Sequence, residues 1–332
     1  MAADFPKRVE HGGTGKRQKE KTRKTVLDFS ASTNPFPPKV PWNCNEVSLG
    51  SYPDDYYHEL KARIAGTFGR KPYEICIGNG SIEIIRVFCS VVLGERKTFS
   101  IYPPTFGEYE LSARLAGAKK GSNLHKSDVT FICNPNNPTG QLQDKLAMRN
   151  HLAGIASAGG ILFCDEAFIA LADPGQSMSD IQDPHLFVLH SLTKSFAVPG
   201  IRFGFGFGDP ELIEKIETAR PPWTINAFAE AYAMEALLHM SELQASRVAI
   251  EKEREWLTAS LNALGLACHP SSANYLLVEC NRPVASLCQD LARRNILVRD
   301  CTSFGLPSCI RIAVRTREEN TLLVEALTTC FH

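Results

Sequence analysis

A chain of 332 residues, 44% apolar and 22% charged, can bury the core of one large domain plus a smaller one, or of a single large α/β unit. Its 36 Lys and Arg balance 36 Asp and Glu, so net charge gives no support for a nucleic-acid or polyanionic partner. No apolar run approaches the roughly 18 residues of a membrane span, and no signal-peptide core opens the chain. The composition predicts a cytoplasmic protein with no membrane partner.

In chain order, residues 1–26 are polar and rich in Gly and Lys, which predicts a flexible arm. Lys16, Arg17, Lys19, Lys21, Arg23 and Lys24 crowd it. A solvated basic surface is the plain reading, and attraction of an anionic substrate the other. Residues 26–29 predict a short strand, followed by the turn-rich Asn34-Pro35-Phe36-Pro37-Pro38. The spacing of Leu60, Ile64 and Phe68 predicts a helix over 55–68 with acidic residues at its start. Ile75-Cys76-Ile77 predicts a strand and Gly78-Asn79-Gly80 a turn, with Ser81 capping a helix that turns Ile82, Ile85 and Val92 to one face. Further apolar runs predict strands over 99–101, 129–132, 161–164, 186–189 and 203–205. Short buried strands alternating with helices imply a mainly parallel sheet covered on both faces.

After Pro221-Pro222-Trp223 the pattern changes. A long helical region is predicted over 226–264, broken near Met240-Ser241, then strands over 275–278, 296–298 and 310–314 with helices over 285–294 and 317–329. This reads as a second, α+β domain. Eleven cysteines form no CxxC pair, and several lie inside apolar runs. They predict buried reduced thiols, neither a disulfide framework nor a metal site.

Four loop segments, each after a predicted strand, carry the chemistry. They are Gly78-Asn79-Gly80-Ser81, Asn134-Pro135-Asn136-Asn137-Pro138-Thr139-Gly140, Asp165-Glu166-Ala167-Phe168 and Ser191-Leu192-Thr193-Lys194, with Arg202 eight residues beyond. Ligands of open parallel sheets bind at the carboxyl ends of the strands, so these loops should converge. Singly they read as a turn, a rigid loop, a helix cap and a surface lysine. Together, in this order, they resemble the aminotransferase class I/II family of fold type I pyridoxal-phosphate enzymes, from about residue 29 to the end.

The resemblance implies a large domain with a mostly parallel seven-stranded sheet between helices, plus a smaller α+β domain. Residues 1–34 would form the arm and part of the small domain, 35–235 the large cofactor domain and 236–332 the small domain. Lys194 would carry pyridoxal 5'-phosphate as a Schiff base, an amine in a low-polarity pocket being the nucleophile that captures an aldehyde. Asp165 would pair with the ring nitrogen and keep the ring an electron sink. Asn137 would bond the ring 3-oxygen and Phe106 would stack on the ring. The cofactor phosphate would sit on Gly80 and Ser81, where a helix opens, joined by Ser191, Thr193 and Arg202. Tyr52 would reach the phosphate of a neighbouring subunit, giving a homodimer with shared sites. Arg311 would hold the substrate α-carboxylate, a role that suits a planar fork.

Within the family the sequence is similar to two branches that act on small phosphorylated substrates, histidinol-phosphate aminotransferases and L-threonine-O-3-phosphate decarboxylases. Arg299 resembles the arginine that binds the substrate phosphate in both. His11-Gly12-Gly13 resembles the decarboxylase opening motif, whose histidine folds over that phosphate. Phe168 stands where the aminotransferases typically have tyrosine, and Pro222-Trp223-Thr224-Ile225-Asn226 and Leu27-Asp28-Phe29-Ser30-Ala31 match the decarboxylase pattern. By that resemblance Asn34 lies in the substrate pocket. The expected reaction is decarboxylation of L-threonine-O-3-phosphate to (R)-1-amino-2-propanol phosphate, the linker of the cobalamin nucleotide loop. L-serine phosphate is a credible alternative substrate, one methyl being worth only about 1–3 kcal/mol in a pocket. Histidinol-phosphate aminotransferase is the alternative reaction, and a non-catalytic pyridoxal-phosphate-binding regulatory protein the alternative of another class. The chain is short between Gly117 and Asp128, where a strand or helix of the family looks to be missing.

Overall fold

The computed structural model describes residues 5–331, with residues 21 and 22 described by backbone alone, so the side chain of Lys21 in the basic arm lies outside the described residues. The arm is not wholly irregular: a helix spans Gly15–Thr22. Its Lys, Arg, Gln and Glu are good helix formers, and Arg23 closes it in a left-handed conformation with its N–H on Lys19 O. The strand β1 (Leu27–Asp28) follows, then a helix His58–Phe68. That helix begins three residues later than predicted, because the Asp54 carboxylate accepts the N–H of both Tyr56 and His58 and Tyr57 sits at φ 51°.

The large sheet is built from β2 (Ile75–Asn79), β3 (Thr98–Ile101), β4 (Lys119–Lys120) and β5 (Val129–Cys133). It is completed by β6 (Ile161–Asp165), β7 (Leu186–Ser191) and β8 (Phe203–Phe207). The order is β2-β8-β7-β6-β5-β3-β4. Only β8 runs against its neighbours, antiparallel to both β2 and β7, so the sheet is mostly parallel, as expected. The link from Ser191 to Phe203 holds only the short helix Leu192–Ser195, too little for the usual crossover that parallel neighbours need. The short stretch 117–128, where a strand or helix was expected to be missing, holds the two-residue β4 at the sheet edge and no helix.

Apart from the exposed β4, the strands are buried along most of their length. On one face Phe88 of helix Ser81–Val92 packs edge-on to Phe163 at 4.8 Å, and Phe163 stacks on Phe187 at 5.0 Å. Gly206 is required there, since a Cβ would lie 2.5 Å from the Phe187 ring.

A smaller sheet is formed by β9 (Ala267–Cys268), β10 (Tyr275–Glu279), β12 (Arg299–Asp300) and β13 (Cys309–Ala313), in the order β12-β13-β10-β9. Between them β11 (Ile296–Leu297) pairs with β1, tying the start of the chain to this unit. The helical region after residue 226 is indeed broken, by a 3-10 turn over Leu237–Glu242. The next helix, Leu243–Ala263, gives Leu243 and Ile250 to the large core and Leu257 and Leu261 to the smaller, so it couples the two units mechanically. All eleven cysteines are unpaired. Among the described residues no helix is long and apolar enough to cross a membrane.

Candidate active site

A cavity of about 480 Å³ opens between the carboxyl ends of the large-sheet strands, the arm and the smaller sheet. Asp165 is the last residue of β6 and Ser191 the last of β7, while Lys194 follows within one helical turn. The strand ends thus bring Asp165, Asn137 and Lys194 to one wall, together with Ser81, Phe106 and Phe168.

The Lys194 side chain is half-buried, and no carboxylate bonds its amine among the described residues. Burial, aided by Arg311 and Arg202 and opposed by Asp165, lowers it from 10.5 to about 8. Its amine lies 6.0 Å from the Phe168 ring centre. Asp165 accepts the Tyr109 hydroxyl at 2.6 Å and the Ala167 N–H at 2.9 Å. Burial raises Asp165 against these donors, which leaves a carboxylate short of a cation. Tyr109 was not singled out in the sequence. Its position three residues after Phe106, in the first turn of the helix Glu108–Leu115 that follows, was the available signal.

A second region gathers the residues expected at the cofactor phosphate. Gly80 precedes helix Ser81–Val92 with φ 75° and takes the capping position expected of Ser81, which is instead the first helical residue. A Cβ at Gly80 would lie 2.3 Å from the Arg202 guanidinium, so glycine is what lets that cation approach the helix start. Gly204 plays the matching part in β8, where a Cβ would lie 2.5 Å from Ser81 N. Ser191 and Thr193, both buried, share a 2.7 Å hydroxyl contact.

Two arginines form the opposite wall. Arg299 and Arg311 are direct cross-strand partners on β12 and β13, each only 7% exposed. Like charges facing each other in a sheet are unfavourable, and buried charges normally carry counter-ions. Yet Arg311 bonds only neutral acceptors, Asn137 Oδ1 and Ser30 O, and its Nε has no partner. Burial is the largest influence on it, and lowers it, with Arg299 adding to that. Arg299 bonds Glu10 O at 2.9 Å and Ser303 Oγ at 2.6 Å, while its nearest carboxylate, on the exposed Glu10, stands 3.9 Å away. Ser303 and the Ser30 carbonyl are further groups the sequence reading missed.

His11 stands at the cavity mouth, its ring 5.9 Å from Phe106 and its Nε2 2.8 Å from Glu108 Oε1. Two expected site residues lie elsewhere. Asn34 is not in the pocket: its Nδ2 donates to Ser195 O and Ser246 Oγ, and its Oδ1 accepts from Phe36 N. Its own N–H bonds Lys194 O, so it braces the Lys194 turn from behind. Tyr52 is 79% exposed and packs at a 31° tilt against Trp223, ring centres 4.6 Å apart, away from the cavity of its own chain.

The residues fit pyridoxal phosphate. An amine of lowered basicity, a carboxylate short of a cation and a helix start kept clear of any Cβ beside Arg202 each lack the partner such a ligand provides. The fold and this site define a fold type I pyridoxal-phosphate-dependent enzyme. The chain belongs to the aminotransferase class I and II family, whose model matches residues 120–327. It is 30% identical to the histidinol-phosphate aminotransferase of Halalkalibacterium halodurans, covering 91% of this chain and 88% of that one. It is 32% identical to a protein of Caldanaerobacter subterraneus subsp. tengcongensis that bears the provisional name threonine-phosphate decarboxylase, over 90% of this chain and 88% of the other. Among solved structures it is similar to the histidinol-phosphate aminotransferase of Clostridium acetobutylicum, with a TM-score of 0.85, 31% identity, and coverage of 92% and 99%.

Proposed function

We propose that the chain decarboxylates L-threonine-O-3-phosphate to (R)-1-amino-2-propanol phosphate and CO2. The observation that carries this reading is the facing pair Arg299 and Arg311 on one wall of one cavity, two buried arginines whose sole carboxylate among the described residues is that of the exposed Glu10, 3.9 Å from Arg299. Such a wall suits a substrate with two anionic groups a short distance apart, a carboxylate and a phosphate. Histidinol phosphate carries the phosphate and no carboxylate. His11 adds a further nitrogen base on the arm, whose neighbouring Glu10 bonds Arg299.

Pyridoxal phosphate, when bound, supplies an electron-accepting ring that takes up the electron pair of the bond broken at the substrate α-carbon. Lys194, Asp165, Asn137 and Phe106 would hold the ring, and Gly80, Ser81, Ser191, Thr193 and Arg202 its phosphate. Asp165 supplies the negative charge that keeps the ring nitrogen protonated, steadied by Tyr109. Arg311 fixes the carboxylate and Arg299 the substrate phosphate, so the bond that breaks is oriented from both ends. Lys194 Nζ, in its ammonium form, would be the group that returns a proton to the α-carbon after CO2 leaves. Phe168 offers no hydroxyl at this point. The exposed Tyr52–Trp223 pair supports a homodimer in which each Tyr52 serves the partner's cofactor phosphate.

A second reading, histidinol-phosphate aminotransferase, is favoured by the relatives of that name at 30–31% identity. One experiment separates them. With L-threonine-O-3-phosphate alone, a decarboxylase releases CO2 through many turnovers without a keto acid. With histidinol phosphate and 2-oxoglutarate, an aminotransferase forms glutamate steadily. Sustained CO2 release is expected. Steady glutamate with no CO2 would move the chain to the second reading, and no change of the cofactor absorbance with either substrate would favour a non-catalytic binding protein.

A further inference from the structure

We propose that Glu108 is a positioning residue for the phosphate end of the substrate, holding His11 across the cavity mouth so that its Nδ1 alone remains for an anionic ligand. This rests on the phosphorylated-substrate reading above and gives the arm its anchor on the large domain. Glu108 opens the helix Glu108–Leu115, and its side chain is only 5% exposed. One carboxylate oxygen takes His11 Nε2 at 2.8 Å and the other Arg86 Nη2 at 2.6 Å. An acidic residue in the first turn is ordinary for a helix. A buried one bridging an arginine and a histidine 97 residues away is not accounted for by that role. Burial acts to raise Glu108, yet the bond from His11 and the charge of Arg86 bring it below its usual value.

The backbone around His11 is fixed on both sides. Glu10 O accepts from Arg299 at 2.9 Å and Gly13 N donates to Ser30 Oγ at 2.8 Å. Gly12 lies flush against the Ser30 carbonyl, where a Cβ would come within 2.2 Å. The arm therefore brings the His11 ring to the mouth, and Glu108 is the group that sets which edge faces inward. Arg86 offsets the carboxylate charge, so an incoming anion meets no net negative charge from this pair. Arg299 grips the same stretch of arm from the small sheet. The phosphate end is thus assembled across both units of the molecule.

The test uses the cofactor-loaded wild type, His11→Ala, Glu108→Gln and the double variant. Each is titrated by cofactor absorbance and assayed with L-threonine-O-3-phosphate and with histidinol phosphate. Glu108→Gln should raise Kd and KM for the phosphorylated compound by about tenfold to a hundredfold, the range of a charge-assisted hydrogen bond, with the loss falling on KM rather than kcat. The double variant should be no worse than His11→Ala, because Glu108 acts through that ring. Trypsin should also cut the arm near Lys16 faster in Glu108→Gln than in wild type. Unchanged KM, or losses that multiply in the double variant, would overturn the proposal. If wild type responds to neither phosphorylated compound, the functional reading falls, while the trypsin rates still decide whether Glu108 anchors the arm.

Discussion

Replacing Lys194 by Met should stabilise the cofactor-free protein at neutral pH, by an amount that shrinks as the pH rises. Burial and the nearby Arg311 and Arg202 bring the lysine from 10.5 to about 8. Between those values the unfolded chain binds more protons than the folded one, so wild-type stability rises with pH across that window. Below about pH 8 the folded state carries the full cost of a buried ammonium, about 3 kcal/mol at 1.36 kcal/mol for each pH unit between 8 and 10.5. The Met variant has no such dependence. Urea unfolding of both proteins, cofactor removed, gives the difference directly. Its advantage over wild type should fall by about 1 kcal/mol from pH 7 to 9 and by about 3 kcal/mol by pH 10.5. Comparing the two proteins cancels every other group that titrates in this range. Parallel pH profiles would refute the account of Lys194 as an amine buried beside two cations. The same perturbation matters for chemistry, since an amine near 8 is nucleophilic at physiological pH where an ordinary lysine is not.

Three further outcomes are expected. Tyr109→Phe removes one of the two donors that hold Asp165 and should cut kcat by about tenfold or more while leaving the fold intact; kinetics with circular dichroism check it, and wild-type kcat would contradict it. Gly80→Ala puts a methyl 2.3 Å from Arg202 at φ 75° and should weaken cofactor retention by about tenfold to a hundredfold, the scale of a strained backbone position, as measured by equilibrium dialysis. Mixing inactive Lys194→Ala with Tyr52→Phe should give more activity than either alone if sites are shared between subunits, and a fully active monomer in sedimentation would exclude sharing.

The cofactor end of the site was legible because it is written in strand ends. Asp165, Ser191 and Lys194 each sit at or just beyond the last residue of a buried strand, and apolar runs mark such strands plainly. Their convergence then follows from the sheet. The substrate end is harder to read. Ser30 and Ser303 meet Arg311 and Arg299 through folding of distant segments, and no local spacing links them. Asn34 misleads for a related reason: the motif containing it is at the expected place, but its amide is spent on Ser195 and Ser246. The reversed direction of β8 was hidden because Phe203-Gly204-Phe205 has the same burial signature in either direction. The helix Gly15–Thr22 was missed because its polar composition resembles that of a solvated arm, and only its left-handed Arg23 end and tertiary contacts distinguish the two.

The uneven legibility has a physical root that bears on function. The groups suited to hold the ring are fixed by packed core: the strands carrying Asp165 and Ser191 are buried along their length, and moving either would disturb the aromatic stack behind them. The groups that face the substrate are fixed mostly by hydrogen bonds to loops. Arg311 leans on the Ser30 carbonyl and the Asn137 amide, Arg299 on Glu10 and Ser303, and His11 on Glu108. Each such bond can be lost or exchanged at a cost of about 1–3 kcal/mol, without touching the core. A frame of this kind keeps its cofactor chemistry while the outer contacts decide which anionic groups are held and hence which bond is presented to the ring. That is why relatives named for transamination and for decarboxylation align with this chain over about 90% of its length. It is also why the arm, the Arg299–Arg311 wall and Glu108 are where the reaction specificity of this chain has to be tested.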